Sequence, residues 1–448
     1  MKIVNIVPGF GGTFYCGNCL RDSVYTRSLR DSGHEAITLP IYLPLSVFES
    51  DKQIDSPVFY GAVNIYLKQN FKLFRHMPAW MERFFNSSGI LKYAAKKAGS
   101  TRATGLEDMT ISMLLGKDGQ QKEELQQLID FLKNHEQPDV VHLSNALLIG
   151  MAEEIREQVG VPVVCSLQDE DVWIDGMHEN RRKELWDLMS EKAKDVDAFI
   201  AVSGYFADVM KAKMNIPDEK INVIHIGVDP SIYQVNIPAI NPPVVGYLSR
   251  LNKENGFEIF VDAFIVLKKQ KGFEHIKAKA SGGKTGDDLR FIKKQMKKLE
   301  HMGFEKDFEI DDHFVQEELH EFFRSVSILS VPVPNGEAFG LYQLESMASG
   351  IPTVQPAIAA FPEIAKTSGG GVVYEPNNPL ALAEKWKEVI SDPELLNNLS
   401  KNGRAAVEKK FNHILLIEKV VQVYQTVVTN KVITMSDENQ ASSQIANL

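Results

Sequence analysis

The feature that most constrains the fold of this chain is an alternation that occurs twice. Short β-branched and aliphatic runs, Val140-Val141-His142-Leu143, Val161-Pro162-Val163-Val164-Cys165 and Ala198-Phe199-Ile200-Ala201-Val202, are separated by stretches with helical spacing such as residues 152–157 and 205–210. Buried strands joined by helices make a parallel sheet. The first tract ends at Ile237-Pro238-Ala239-Ile240-Asn241-Pro242-Pro243. Its prolines fix φ and remove backbone donors, so neither helix nor strand continues easily, and residues 237–243 read as an interdomain linker. A second tract opens with Val244-Val245-Gly246-Tyr247-Leu248, with further strands expected near residues 276–280 and 326–331. The expected architecture is therefore α/β, with one domain at 1–236 and another at 244–410. Residues 430–448 are polar and rich in Ser, Asn and Gln, and read as a disordered tail.

Composition narrows the functional classes. With 448 residues, 44% hydrophobic and 24% charged, the chain is neither fibrous nor disordered. The start, Met1-Lys2-Ile3-Val4-Asn5-Ile6-Val7, reads as a first strand and lacks the basic and apolar regions of a signal peptide; with no long apolar run elsewhere, a cytoplasmic location is expected. A formal charge of -10 argues against a broad nucleic-acid surface. Three cysteines are too few for a disulfide framework. One stretch breaks the α/β rhythm, an amphipathic insertion at about 66–137. In its first part Phe71, Phe74, Trp80, Phe84 and Phe85 interleave with Lys68, Lys72, Arg75 and Arg83. Helix-spaced aromatics of this kind usually pack on a core; the competing reading is a peripheral membrane contact, or contact with a lipid-linked or polymeric acceptor.

The strongest local feature is Pro334-Asn335-Gly336-Glu337-Ala338-Phe339-Gly340-Leu341-Tyr342-Gln343-Leu344-Glu345, followed by Ser346-Met347-Ala348-Ser349-Gly350-Ile351-Pro352. It reads as a loop after a strand, a helix starting near Phe339 to Leu341, and a stop at Gly350. A helix start presents free N–H groups and suits a phosphate oxygen, and Gly340 permits close backbone approach. Glu337 would precede the helix and Glu345 lie about a turn inside it.

This motif resembles that of the retaining GT-B-fold glycosyltransferases, in particular the large family-4 class, with sucrose- and glycogen-synthase-like enzymes as relatives. Gly11-Gly12 after the first strand, Pro138-Asp139-Val140-Val141-His142, the segment Ile221-Asn222-Val223-Ile224-His225-Ile226-Gly227-Val228-Asp229, Pro362-Glu363-Ile364 and Asn378-Pro379-Leu380 extend the resemblance over most of the chain. The resemblance implies two facing Rossmann-like domains with a cleft between them and a final helix, 411–429, crossing back to the first. It implies a nucleotide-diphosphate-sugar donor on the second domain and an acceptor sugar, glycan or lipid-linked molecule on the first. It also implies transfer with retention and no metal or other cofactor. By residue, Glu337 would contact the donor sugar, the backbone of Phe339, Gly340 and Leu341 hold sugar and phosphate, and Glu345 bind the ribose. Gly11 and Gly12 would approach the phosphate, and Arg250 neutralise the diphosphate.

Three positions depart from the pattern. The lysine expected five residues after Arg250 is Asn255, leaving Lys253 as a substitute; at Leu167-Gln168-Asp169, where many relatives have a histidine after the strand, Gln168 can bind a hydroxyl but carries no charge; and Ala359-Ala360-Phe361 replaces a glycine pair before Pro362-Glu363. They keep open a nucleotide-sugar epimerase on the same fold, or a nucleotide-sugar-binding protein without catalysis. Other motifs have plainer readings. Cys16-Gly17-Asn18-Cys19 has dithiol spacing but no second ligand pair; Ala278-Lys279-Ala280-Ser281-Gly282-Gly283-Lys284-Thr285 is a P-loop lacking its first glycine; and Asp169-Glu170-Asp171 reads as a solvated acidic loop.

Overall fold

The computed structural model describes residues 1–9, 15, 17–42, 103, 105–311 and 318–445. Gly11, Gly12, Cys16 and the basic-aromatic part of the insertion lie outside the described residues. The first tract forms a parallel six-stranded sheet of β1 (Lys2–Val7), β2 (Glu35–Pro40), β3 (Val140–Leu143), β4 (Val163–Leu167), β5 (Ala198–Ala201) and β6 (Ile221–Val223). Their order is β2-β1-β3-β4-β5-β6. The second contains β7 (Val244–Leu248), β8 (Lys277–Ser281), β9 (Phe308–Ile310), β10 (Ile328–Leu329), β11 (Thr353–Pro356) and β12 (Gly371–Tyr374), ordered β12-β11-β10-β7-β8-β9. Every strand pair within both sheets is parallel. β3, β4 and β5 are buried at every position, as their unbroken apolar character requires.

Each sheet reverses its strand order once, between β1 and β3 in the first and between β7 and β10 in the second. At such a point the loops leaving the carboxyl ends diverge and open a crevice, which is where open α/β sheets bind ligands. Five helices border or brace these crevices: α1 (Gly17–Asp31), α2 (Glu170–Asp175), α3 (Gly204–Met214), α4 (Leu341–Ala348) and α5 (Phe361–Ser368).

The final helix, α6 (His413–Ile445), packs on the first domain: Leu416, Ile417, Val420, Tyr424 and Val427 share a buried cluster with Ile3, Leu29, Val140, Val164 and Ile200. The Tyr424 hydroxyl meets Tyr25 Oη at 2.8 Å and His142 Nδ1 at 2.5 Å. The expected disordered tail is corrected here, because α6 runs on through residue 445. No proline or glycine interrupts residues 413–445, and a helix anchored by its first turns extends at one hydrogen bond per residue fixed. Among the described residues no helix is long and apolar enough to cross a membrane.

Candidate active site between two switch-point crevices

The Glu337 loop leaves β10 at the second sheet's switch point and meets the first domain at Ala338. The Ala338 N–H donates to Asp169 Oδ1 at 3.0 Å, and its carbonyl accepts from Ser203 Oγ at 2.7 Å. Asp169 follows β4 and holds a left-handed φ of 57° at the start of α2; Ser203 caps α3, its hydroxyl also accepting the Phe206 N–H at 3.1 Å. Both backbone groups of the residue after Glu337 are therefore tied to the opposite domain. A second tie lies behind it. Glu363 on α5 accepts from the backbone N–H groups of Gly204 (3.0 Å) and Tyr205 (3.1 Å) at the start of α3, and lies 2.7 Å from His225 Nε2. Burial alone would raise its pKa, but these three partners outweigh it and take the carboxyl down to about 2.

Glu337 itself keeps partial exposure to the cleft. Its dense surroundings and the neighbouring Asp169 carboxylate push its pKa up to about 8. Glu345, one turn inside α4, is 2% exposed. Burial pushes it up to about 7, against the pull of two hydroxyls: Tyr15 Oη donates to Oε2 at 2.6 Å and Tyr233 Oη to Oε1 at 3.1 Å. Tyr15 comes from the first domain's β1–α1 connection, and its N–H also reaches the Gly282 carbonyl at 2.8 Å. α4 begins after Gly340, whose φ of +84° suits a residue without Cβ.

Beneath the second-domain crevice, Arg250 follows β7. Its Nε and Nη2 donate to the two Asp288 carboxylate oxygens at 2.8 and 2.9 Å, and Nη2 also to Thr285 Oγ1 at 3.0 Å. Asp288 closes a capping box with Thr285, accepting its N–H at 2.7 Å and its hydroxyl at 2.9 Å. Despite its partial burial, these donors hold the Asp288 carboxyl below the usual range. The turn after β8 is thus organised around an ion pair, with the threonine hydroxyl already committed, and not as a phosphate cradle of the P-loop kind.

Two family descriptions match this chain: "Glycosyltransferase Family 4" over residues 116–232 and "Glycosyl transferases group 1" over residues 232–406, so that together they run from before β3 through the whole second sheet and the Glu337 motif. The chain is a GT-B glycosyltransferase of the family-4 type. Among curated relatives, an uncharacterized glycosyltransferase of Methanocaldococcus jannaschii is 22% identical over 307 residues, covering 64% of this chain and 75% of the relative. D-inositol 3-phosphate glycosyltransferase of Corynebacterium glutamicum is 23% identical over 233 residues, 48% of this chain and 53% of that protein, so the match spans about half of the latter's length. Among solved structures, Anabaena HepE in complex with UDP and glucose superposes with a TM-score of 0.68 at 16% identity, covering 95% of this chain and 99% of that one. Sucrose-phosphate synthase of Thermosynechococcus elongatus gives 0.66 at 14% identity, covering 96% and 100%. At these identities the structures speak for the fold.

In this glycosyltransferase the residues singled out from sequence fall into three groups. Glu337, Phe339, Gly340, Leu341 and Glu345 lie together where the Glu337 loop enters α4, and Arg250 lies at the carboxyl end of β7 in the same crevice. Lys253 is exposed on the turn after Arg250, whereas Asn255 turns inward and donates through Nδ2 to Ser249 Oγ at 2.7 Å. Gln168 is 6% exposed at the end of β4, with Nε2 donating to the Ser144 carbonyl at 2.6 Å and Oε1 without a partner.

The reading of residues 169–171 as a solvated loop is corrected. Glu170 is 1% exposed because its oxygens accept the N–H groups of Ala146 (2.8 Å) and Gln168 (2.7 Å), and Asp169 bridges to Ala338. Sequence reasoning also missed Tyr15, Tyr233, Ser203 and the Glu363 contact with α3. Of the missed features only Thr285-x-x-Asp288 carried a local signal, the spacing of a capping box. Among the described residues, the one cluster with metal-ligand spacing is Glu153, Glu154 and Glu157, where Lys117 already pairs with all three.

Proposed function

We propose that this glycosyltransferase moves a hexosyl group from a nucleotide-diphosphate-sugar to an acceptor hydroxyl with retention of configuration. The observation that supports the reading is the placement of Glu337 and Ala338 at the junction of the two switch-point crevices; in this reading the donor lies on one side and the acceptor on the other. Relatives named as D-inositol 3-phosphate glycosyltransferase and as a lipopolysaccharide core mannosyltransferase support sugar transfer over epimerisation, and HepE with UDP and glucose supports a nucleotide-sugar donor.

In this reading the bond from the sugar's anomeric carbon to the diphosphate breaks and the electron pair leaves on the phosphate oxygen. The acceptor oxygen bonds the same face of that carbon, and its proton passes to the departing phosphate. Charge grows on the leaving group, so fixed donors aimed there lower the barrier most. Arg250 and Lys253 supply positive charge, the backbone of Phe339, Gly340 and Leu341 supplies oriented dipoles, and Gly11 and Gly12 complete the approach from the first domain. With a carboxyl held near 8, Glu337 is largely protonated at neutral pH, able both to donate to and accept from sugar hydroxyls and unsuited to act as a covalent nucleophile. Glu345 binds the ribose, and Gln168 meets a donor or acceptor hydroxyl. No residue is assigned to a metal ion.

The test is incubation of the full chain with a panel of nucleotide sugars, reading nucleoside diphosphate release and the anomeric configuration of the product by NMR. An inverted product refutes retention. Conversion of one nucleotide sugar into its epimer, without acceptor, refutes transfer.

A further inference from the structure

A cavity of about 240 Å³ opens in the first domain beside the β1–β3 switch point. Its wall is made at the carboxyl ends of the strands by Thr38 of β2, Asn145 after β3 and Gln168 to Glu170 after β4, together with Asp22 and Asn18 on α1 and Trp173 on α2. It adjoins the reaction centre directly, since Asp169 both lines it and holds the Ala338 N–H.

The polar lining is unusual for a sugar-phosphate site. Three acidic residues, Asp22, Asp169 and Glu170, line a single small space, and among the described lining residues there is no lysine, arginine or histidine. Arg21 stands behind Asp22, but it is committed: Nη2 donates to Asp22 Oδ1 at 2.7 Å and to the Ser144 carbonyl at 3.0 Å. Gln168 adds another acceptor, an Oε1 with no hydrogen-bond partner on a residue 6% exposed. Carboxyl and amide oxygens are chiefly acceptors, and burial already holds the Asp22, Asp169 and Glu170 carboxyls above their ordinary range, Glu170 at about 7, so further charge of the same sign is disfavoured beside them. A phosphate or carboxylate in this space would bring more acceptors and more negative charge where the dielectric is low. Hydroxyl groups can both donate to these acceptors and accept from Asn18, Ser23, Thr38 and Asn145, and Trp173, Leu147 and Pro8 give an apolar wall for the carbon face of a ring.

Resting on the transferase reading above, we propose that this cavity is the acceptor subsite and that it takes an uncharged polyhydroxylated ring, a neutral sugar or cyclic polyol, in preference to its phosphorylated form. At about 240 Å³ the cavity has room for a single ring.

The experiment uses the full chain saturated with UDP and compares methyl α-D-glucopyranoside and myo-inositol with glucose 6-phosphate and inositol 1-phosphate, by saturation-transfer NMR and calorimetry. The expected result is binding of at least one neutral probe, at least tenfold tighter than its phosphorylated counterpart. Trp173→Ala should weaken that binding at least fivefold while leaving UDP affinity within twofold, and Asp22→Asn should narrow the discrimination against phosphate. Equal or tighter binding of the phosphorylated probes, no binding of any probe, or neutral-probe binding unaffected by Trp173→Ala overturns the proposal. Failure of the transferase reading looks different. UDP would then not bind, and no nucleotide sugar would release its diphosphate, whatever the neutral probes do at the cavity.

Discussion

Replacing Gly336 by alanine tests how the Glu337 loop is seated. Gly336 has a φ of +75°, and a Cβ built on it would lie 2.3 Å from the Ala359 Cβ, with Ile358 Cγ1 at 3.4 Å. Ala359 is itself left-handed, with a φ of 52°, so the chain keeps a glycine's backbone conformation there with an alanine in place. A left-handed alanine costs about 1–2 kcal/mol. Restricting the unfolded chain returns about 0.4–1 kcal/mol. Forcing two methyl groups apart in a packed site adds about 1–3 kcal/mol. Gly336→Ala should therefore destabilise by about 1–5 kcal/mol, and Ala359→Gly should be neutral or stabilising by up to about 1.6 kcal/mol from the first two contributions alone. The double variant removes one of the colliding methyls, so the two changes should couple by about 1–3 kcal/mol, the part due to overpacking. Guanidinium denaturation of all four proteins measures this cycle, and nucleoside diphosphate release reports whether Glu337 returns to its place with the fold. Additivity within about 0.5 kcal/mol would refute the packing argument, since it would mean that Ala359 does not meet residue 336.

Tyr15→Phe removes one of the two hydroxyls bonded to Glu345 before any ribose arrives; a hydrogen bond to a charged group contributes about 1.5–3 kcal/mol, so UDP should bind tighter by roughly 10- to 150-fold by calorimetry. Unchanged or weaker binding means that tyrosine and ribose do not compete. The Glu363 carboxyl, near 2 in the folded chain against an ordinary 4.5, stabilises the fold fully above the ordinary value, and this contribution fades as pH falls toward 2. Glu363→Gln should accordingly flatten the loss of stability between pH 6 and 3 in thermal unfolding, and an unaltered pH profile would show that the contact with α3 is not formed. Asn255→Lys gives up the bond to Ser249 but adds a cation in the turn after β7. The affinity advantage of UDP over UMP should grow at low salt and shrink at high salt, whereas a stability loss with no gain for the diphosphate would place residue 255 away from the leaving group.

The sheets were legible because buried parallel strands leave unbroken apolar runs, and the Glu337–Glu345 segment because a loop, a glycine and a helix start are adjacent in sequence. What joins the domains left no such trace. Asp169 and Ala338 are 169 positions apart, Ser203 and Ala338 135, Tyr15 and Glu345 330. Each is a pairing of ordinary polar residues that only the docking of two separately folded sheets brings together. Residues 169–171 mislead for a related reason. Three consecutive acids usually mean solvent, but here Glu170 points inward to accept the N–H groups of Gln168, just after β4, and of Ala146, which lies beyond β3 and far from it in sequence. The departure at Ala359-Ala360 was visible, yet its consequence was not, because a left-handed alanine cannot be told from an ordinary one by its identity.

The way Ala338 is held has a consequence for turnover. Its N–H and carbonyl both bond to the first domain, so the position of Glu337 between the two crevices is set by backbone groups that are present whatever side chain stands at 338. Specificity of placement therefore lies with Asp169 and Ser203, which are fixed in turn by the starts of α2 and α3. The strength of the tie is limited: a neutral hydrogen bond contributes about 0.5–1.5 kcal/mol net and one to a carboxylate about 1.5–3 kcal/mol. Two such bonds amount to a few kcal/mol, and with the Glu363 and Tyr15 contacts across the cleft they bias it toward a single register. A buried apolar seam of the same area would hold the domains together more firmly but would be non-directional, and could not position one carboxyl against one ring. Hydrogen bonds to a main-chain peptide, directional and few, meet both requirements at a site that has to close accurately and then let its product go.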